Sequence, residues 1–152
     1  DAKYYKQLGG NLEKVCENIK RFREKDIWME ITTLIVPTKN DSDEELNKIA
    51  AFIANEVGKD VPWHITAFHP DYEMHDRGPT PPETLRRAWE LGQEAGLRYV
   101  YVGNMPGARL EDTLCPGCGK AVVERQGFWV MANHVRKGTC AYCGTTIDGV
   151  GM

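Results

Sequence analysis

Cys115-Pro-Gly-Cys118-Gly and Cys140-Ala-Tyr-Cys143-Gly, with 21 residues between Cys118 and Cys140, are the two turns that decide how the C-terminal part of this chain folds. Each turn presents two thiolates, and the glycine after the second cysteine permits a tight backbone turn whose N–H groups point at the sulfur atoms. Four thiolates at this spacing predict a tetrahedral metal site, most often zinc. Because all four ligands come from the protein, the site is closed and its metal is expected to be structural.

Two other chemistries fit the same cysteines. Cys-Pro-x-Cys-Gly is also typical of a rubredoxin-like iron site, since tetrahedral sulfur ligation suits either metal. Two disulfides are the other alternative, but a fifth cysteine (Cys16) and the absence of a secretory signal in the sequence favour a reducing compartment. We therefore expect a cytoplasmic protein that holds Zn²⁺, with iron as the alternative. Cys16 lies on the apolar face of a predicted helix and is expected to be buried and inert.

The length and composition predict an ordinary globular chain. Its 152 residues can bury a core, and the formal net charge is −3. Nothing in the composition indicates disorder, a coiled coil or a membrane span. The mild acidity argues against a dedicated nucleic-acid binder, which usually carries a basic stripe.

Helical and strand patterns alternate before the cysteine turns. Asn11 can cap a helix whose apolar positions recur with a period of 3.6, the capping box at Ser42 starts a second helix at about Asp43, and Thr80 caps a third over residues 81–95. Apolar, β-branched runs at 27–36, 61–68 and 98–102 predict strands. This order predicts right-handed βαβ units and a three-stranded parallel sheet, which is about half of a (β/α) barrel. Such a sheet leaves apolar edges, so we expect the chain to be a piece of something larger.

The segments after the three strands are the predicted location of a ligand site. Ligands of parallel α/β sheets bind at the carboxyl ends of strands, which here are residues 36–40, 68–72 and 103–107. We expect His69, Asp71 and Asn104 to line a pocket there as cofactor-binding residues. The alternative is that His69-Pro only turns the chain and that Asp71 caps the loop. His64 lies inside its strand and is expected to face the core or a helix.

Residues 113–150 have a different pattern, with short strands, frequent glycines and few large apolar side chains. A segment of this kind cannot build much core, and metal ligation can supply about 10–16 kcal/mol in small zinc domains. The sequence therefore predicts a zinc ribbon around a hairpin at 121–131. The expected domains are a half-barrel at 1–110 and a metal-binding tail at 111–152.

Several stretches taken together resemble a known family. The stretches are Asp1-Ala-Lys-Tyr-Tyr-Lys-Gln-Leu-Gly-Gly, Thr33-Leu-Ile-Val-Pro-Thr-Lys-Asn-Asp-Ser-Asp-Glu-Glu-Leu, Pro62-Trp-His-Ile-Thr-Ala-Phe-His-Pro-Asp-Tyr, Thr80-Pro-Pro-Glu-Thr-Leu and Tyr99-Val-Tyr-Val-Gly-Asn. With the cysteine tail, they are similar to the C-terminal half of radical S-adenosylmethionine proteins of the pyruvate formate-lyase activating enzyme-like group, specifically the AmmeMemoRadiSam type.

The resemblance implies a partial (β/α) barrel related to the TIM barrel. An N-terminal half would carry a Cys-x-x-x-Cys-x-x-Cys loop with a [4Fe–4S] cluster that cleaves S-adenosylmethionine reductively to a 5′-deoxyadenosyl radical. The radical abstracts hydrogen from a substrate, which in activating enzymes is a glycine of a partner protein. His69 matches the histidine that approaches the S-adenosylmethionine ribose, whereas Thr32 stands where the family has an arginine.

The resemblance also implies the partners and the limits of this chain. An oxidoreductase of this type would take electrons from a flavodoxin or ferredoxin, and its distal half would need the N-terminal half of its own barrel. The chain lacks the cluster motif, so we expect no radical activity from it alone and no catalytic residue within it. Neither a membrane nor nucleic acid is an expected partner.

Two further hypotheses remain open at this point. The chain could be a non-enzymatic zinc-ribbon module that binds protein or nucleic acid, because the tail mixes basic and aromatic residues. It could also be an iron-loaded ribbon that passes electrons. The basic residues are Lys120, Arg125, Arg136 and Lys137, the acidic ones Glu124 and Asp148, and the aromatic ones Phe128, Trp129 and Tyr142.

Overall fold

The computed structural model describes residues 2–105 and 109–151, which form a mixed α/β fold. The described helices are α1 (Ala2–Gln7), α2 (Leu12–Glu24), α3 (Asp43–Phe52), which continues as a π-helical turn at Ile53–Val57, and α4 (Pro82–Glu94). The described strands are β1 (Ile31–Ile35), β2 (Trp63–Ala67), β3 (Val100–Gly103), β4 (Thr113–Leu114), β5 (Ala121–Gln126), β6 (Trp129–Asn133), β7 (Val135–Arg136) and β8 (Thr139–Cys140). Part of the predicted 103–107 loop and of the stretch before the predicted domain boundary, at residues 106–108, lies outside the described residues, as do the terminal residues Asp1 and Met152.

The first three strands form the predicted parallel sheet, in the sequential order β1-β2-β3. One face of this sheet is buried against α3 and α4, because alternate side chains along each strand are apolar and point to that face. Trp63 and Ile65 lie at its centre with no exposed surface. The opposite face carries Thr66, His64 and Tyr101 and is not covered by either crossover helix. The strands are shorter than predicted, because the residues at the ends of the predicted runs are not paired with a neighbouring strand.

Two of the three predicted helix caps are confirmed. The Asn11 side chain accepts a hydrogen bond from Lys14 N, and the Ser42 hydroxyl accepts one from Glu45 N. Thr80 is not a cap, and that prediction is wrong. Its hydroxyl donates to Ile35 O at 2.6 Å and accepts from Phe68 N at 2.7 Å, so it ties the loop after β2 to the end of β1. Helix α4 begins one residue later, after Pro81, without a side-chain cap.

Helix α2 contributes little to the core, although its sequence has the predicted amphipathic pattern. None of its residues is buried, and Val15 and Phe22 are exposed by 36% and 49%. Cys16 is half-buried rather than buried, and partial burial raises the pKa of its thiol. The described helices have neither the length nor the continuous apolar sequence that a bilayer crossing requires.

The tail folds as an antiparallel sheet, β4-β5-β6, with a small β7-β8 hairpin beside it. It packs against β3 through a second apolar cluster, in which Tyr99 contacts Val122 and Ile147 together with two of the cysteines. The Tyr99 hydroxyl accepts a hydrogen bond from Asp148 N, and Arg98 forms an ion pair with the Asp148 carboxylate at 2.7 Å. The tail and the parallel sheet therefore share an interface, and the division near residue 110 stays a prediction.

Candidate metal centre

The four predicted cysteines converge on one point. Their Sγ atoms all lie within 4.8 Å of one another, with Cys115 and Cys143 at 3.6 Å and Cys118 and Cys140 at 3.9 Å. Four sulfurs at about 2.3 Å from one tetrahedral ion would be about 3.8 Å apart, so the spacing fits a single metal. The pairs are far from the S–S length of about 2 Å in a disulfide, and all four cysteines are free.

The backbone turns that hold the cysteines form as their sequence predicts. Gly119 and Gly144, the glycines that follow each second cysteine, have φ of +70° and +78°, which other residues adopt at a cost. Their N–H groups donate to Cys115 O and Cys140 O and close the two turns. Gly117 N also donates to Cys115 Sγ at 3.4 Å, which gives that sulfur a partner from the backbone.

Thr145 is a supporting residue that sequence reasoning missed. Its Oγ1 lies 3.2 Å from Cys143 Sγ, and its hydroxyl and then its backbone N–H lower the pKa of that thiol to about 6. A Cβ at Gly117 would approach Thr145 Oγ1 to 2.1 Å, so the two turns meet at this threonine. The sequence feature that could have identified Thr145 is its position two residues after the last cysteine, because a hydroxyl there can hydrogen-bond to the cysteine sulfur.

The centre is buried on one side and open on the other. Cys115 and Cys140 are 2% exposed and pack around Tyr99, whereas Cys118 and Cys143 face solvent. The Lys120 N–H favours the Cys118 thiolate, but desolvation and the neighbouring thiols outweigh it and raise the pKa of Cys118 to about 11. The donor set of four sulfurs suits Zn²⁺ or iron and holds no position for a substrate.

His69, Asp71 and Asn104 follow parallel strands, as predicted, but the structure does not bring them to one described pocket. All three are exposed. Asp71 accepts a hydrogen bond from Tyr72 N in its own loop, and Asn104 has φ of +61° directly after β3. Asn104 lines a groove whose described lining includes neither His69 nor Asp71. A role for these residues in cofactor binding stays a prediction.

That groove, of about 1120 Å³, lies between the open face of the parallel sheet and the β5-β6 hairpin. His64 and Tyr101 are on its floor, with ring centroids 5.0 Å apart. His64 was expected to face the core or a helix, but its register in β2 places it on the face opposite the helices. Its Nε2 lies 2.6 Å from Glu30 Oε2. Sequence reasoning missed the groove because two segments distant in sequence form its walls.

Comparison with known proteins adds one relative. No family model matches the chain. The chain is 42% identical over 151 residues to an uncharacterized protein of Methanocaldococcus jannaschii, and the match covers 97% of this chain and 45% of the relative. The chain therefore spans about half the length of the curated relative it matches. The similarity extends through the parallel sheet and the cysteine tail alike.

Proposed function

We propose that this chain is the distal half of a partial (β/α) barrel in a radical S-adenosylmethionine enzyme, with a metal-stabilised ribbon at its end. One observation carries the proposal. The three parallel strands follow one another in sequential order, and both crossover helices, α3 and α4, cover the same face. A doubly wound sheet has helices on both faces, whereas barrel strands keep all helices outside.

The open face of the sheet then corresponds to the inside of the barrel. His64, Thr66 and Tyr101 project from this face, and polar side chains there favour a ligand-filled interior over a packed one. The relative is about twice as long as this chain, which leaves room for the other half of a barrel in that protein. An upstream half would supply the [4Fe–4S] cluster and most S-adenosylmethionine contacts, with His69 and Asn104 at the near edge.

The ribbon metal has a structural role in this proposal. Zn²⁺, or iron as the alternative, would be held by Cys115, Cys118, Cys140 and Cys143 and would fix the tail against Tyr99. The four sulfurs leave no ligand position for S-adenosylmethionine, so the radical chemistry is assigned to a separate cluster.

The test uses the longer relative, purified without oxygen and reconstituted with iron and sulfide. With dithionite and S-adenosylmethionine it is expected to release 5′-deoxyadenosine, measured by chromatography. This chain, treated in the same way, is the matched control and should release none. If the relative holds a complete iron–sulfur cluster and still releases no 5′-deoxyadenosine, the proposal is wrong.

A second function is favoured by the tip of the β5-β6 hairpin. Phe128 is fully exposed and Trp129 is 77% exposed, although both are large and apolar. Arg136 and Lys137 lie in the separate β7-β8 hairpin, so the tail as a whole, rather than the tip alone, carries exposed aromatic and basic groups, as modules that bind single-stranded nucleic acid do. Fluorescence titration with a labelled oligonucleotide tests this alternative. Salt-dependent binding that Trp129→Ala abolishes would support it, and no binding at moderate salt would exclude it.

A further inference from the structure

The groove beneath the β5-β6 hairpin contains an arginine that is fixed in place without an acidic partner. Arg125 Nη1 donates to Thr113 Oγ1 at 2.6 Å and to Glu111 O at 3.3 Å, and its guanidinium lies 5.7 Å from the Tyr101 ring centroid. The Tyr101 hydroxyl is itself 3.0 Å from Thr113 Oγ1. These contacts hold the guanidinium in one orientation before any ligand arrives.

The unused part of this guanidinium is the edge formed by Nε and Nη2. Within residues 2–105 and 109–151, no carboxylate oxygen lies within ion-pairing distance of Arg125, and its hydrogen bonds to Thr113 and Glu111 both come from Nη1. The Tyr101 hydroxyl is the other group that interacts with the guanidinium. The other half-buried arginines of the described chain are all paired: Arg23 with Asp60, Arg77 with Asp76, and Arg87 with Asp43. The Nε–Nη2 edge presents two parallel N–H groups, which match the two oxygens of a carboxylate or phosphate.

The acidic residues of the groove are already engaged by protein donors. Glu111 Oε2 accepts from Gly127 N, Asp112 Oδ1 accepts from Arg125 N, and Glu30 contacts His64. The other two acidic residues of the lining are Asp148, which pairs with Arg98, and Glu124, whose Oε1 lies 3.9 Å from His134 Nε2. Their charge weakens any long-range attraction for an anion, so recognition must depend on short-range contact with Arg125. Arg109 also lines the groove and, within the described parts of the chain, has no ion-pair partner.

We propose that this groove binds a small organic anion, whose carboxylate or phosphate is held by the Nε–Nη2 edge of Arg125. The flat or apolar part of the ligand lies against Tyr101 and Phe128, both of which line the groove. The volume of about 1120 Å³ accommodates a ligand of this size. The proposed site uses residues of this chain only, so it does not depend on the radical chemistry proposed above.

The test is a titration of the metal-loaded chain with four probes at constant ionic strength, followed by NMR at the Arg125 Nε–H. The probes are benzoate, phenyl phosphate, neutral benzamide and cationic benzylammonium. An anion should bind at least about tenfold more tightly than benzamide, because a charged, bidentate contact is lost in the amide. The tighter of the two anions identifies the ligand as a carboxylate or a phosphate. Equal binding of benzamide, or tighter binding of benzylammonium, would overturn the proposal.

Matched variants connect the binding to Arg125. Arg125→Gln should weaken anion binding at least about tenfold, and Arg125→Lys should weaken it less because it keeps the charge without the fork. Arg109→Gln should weaken it slightly, and Arg86→Gln, an exposed site on α4, should leave it unchanged. If Arg125→Gln does not fold, Arg125→Lys decides the question. Unchanged anion affinity in a folded Arg125 variant would overturn the proposal.

Discussion

At the scale of single residues, Thr80 shows how one hydroxyl can join distant parts of the fold. It is 5% exposed and connects the carbonyl at the end of β1 to the N–H of Phe68 just beyond β2. Both backbone groups lie at the edge of the sheet where the ladder stops, so neither has a strand partner there. The threonine replaces that missing partner and fixes the start of the loop that carries His69 and Asp71.

Thr80→Val should therefore be strongly destabilising although it preserves shape. It leaves a buried N–H and a buried carbonyl unsatisfied, and each such group costs about 1–3 kcal/mol. We expect urea denaturation to show a loss of about 2–4 kcal/mol in the free energy of unfolding. Thr84→Val, on α4, is the matched control and should change the stability by less than about 0.5 kcal/mol. Equal effects of the two substitutions would mean that water replaces the Thr80 hydroxyl.

Gly92 shows the opposite requirement, the absence of a side chain. It lies on the buried face of α4, where a Cβ would be 2.9 Å from Val100 Cγ2 and 3.0 Å from Trp63 Cε3. Gly92→Ala gains about 1 kcal/mol of helix propensity but overpacks the core at a cost of about 1–3 kcal/mol. We expect a net loss of roughly 1 kcal/mol in the free energy of unfolding, measured in urea.

Gly78→Ala is the control for this prediction. Gly78 lies in the loop before α4 with open space around its Cβ position and no positive φ. Alanine there should be neutral or slightly stabilising, because it restricts only the unfolded chain. A stabilised Gly92→Ala protein would show that Trp63 moves aside easily.

At the scale of elements, the sequence predicts best what is determined locally. The caps at Asn11 and Ser42 depend on residues three positions apart, and the cysteine turns depend on five, so motif and structure agree. By contrast, residues close in sequence do not determine which face of a strand is buried against a distant element. His64 was expected to face the core or a helix because it lies inside its strand, and the residues around it do not show which face of the sheet stays open. Thr80 also precedes a helix, but its hydroxyl donates a hydrogen bond to Ile35 O at the end of β1 and therefore does not cap the helix.

The tail is an element whose stability should depend on the metal. Cys115→Ser removes a ligand and also a sulfur that belongs to the same buried cluster as Tyr99. We expect the variant, or the parent chain treated with a chelator, to lose the dispersed NMR signals of residues 113–148. The far-UV circular dichroism of α3 and α4 should persist, since their core contains no cysteine.

Cys16→Ser provides the control for metal loss, because Cys16 lies in α2, outside the four-cysteine group. It should keep the metal and the tail signals. Tyr99 lies between the two sheets, so its ring signals should report the loss of the tail before the helices respond. If the tail signals survive complete metal removal, packing around Tyr99 and not the metal holds this element together.

At the scale of the whole molecule, the described chain leaves a strand edge unpaired and several apolar side chains uncovered. Strand β1 is an edge strand, and on its outer side the described residues supply no partner strand. Exposed apolar side chains also occur on α2, on the segment that follows it and on β1 itself: Val15, Phe22, Ile27, Trp28 and Leu34. An unpaired edge with apolar neighbours is prone to pair with another chain. In the proposed barrel, the upstream half of the longer protein would cover this side.

The isolated chain should therefore self-associate, and a charge on this side should prevent it. Sedimentation velocity at roughly micromolar to millimolar concentrations should show a concentration-dependent dimer or larger species for the parent chain. Leu34→Lys, at a side chain that is 48% exposed on β1, should shift it to a monomer because a lysine on an edge strand opposes pairing. Tyr72→Lys replaces a more exposed aromatic in the loop after β2 and should leave association unchanged. If the unsubstituted chain stays monomeric over the whole concentration range, its uncovered apolar groups are stable in water. The proposal that an upstream half-barrel covers them would then lose this support.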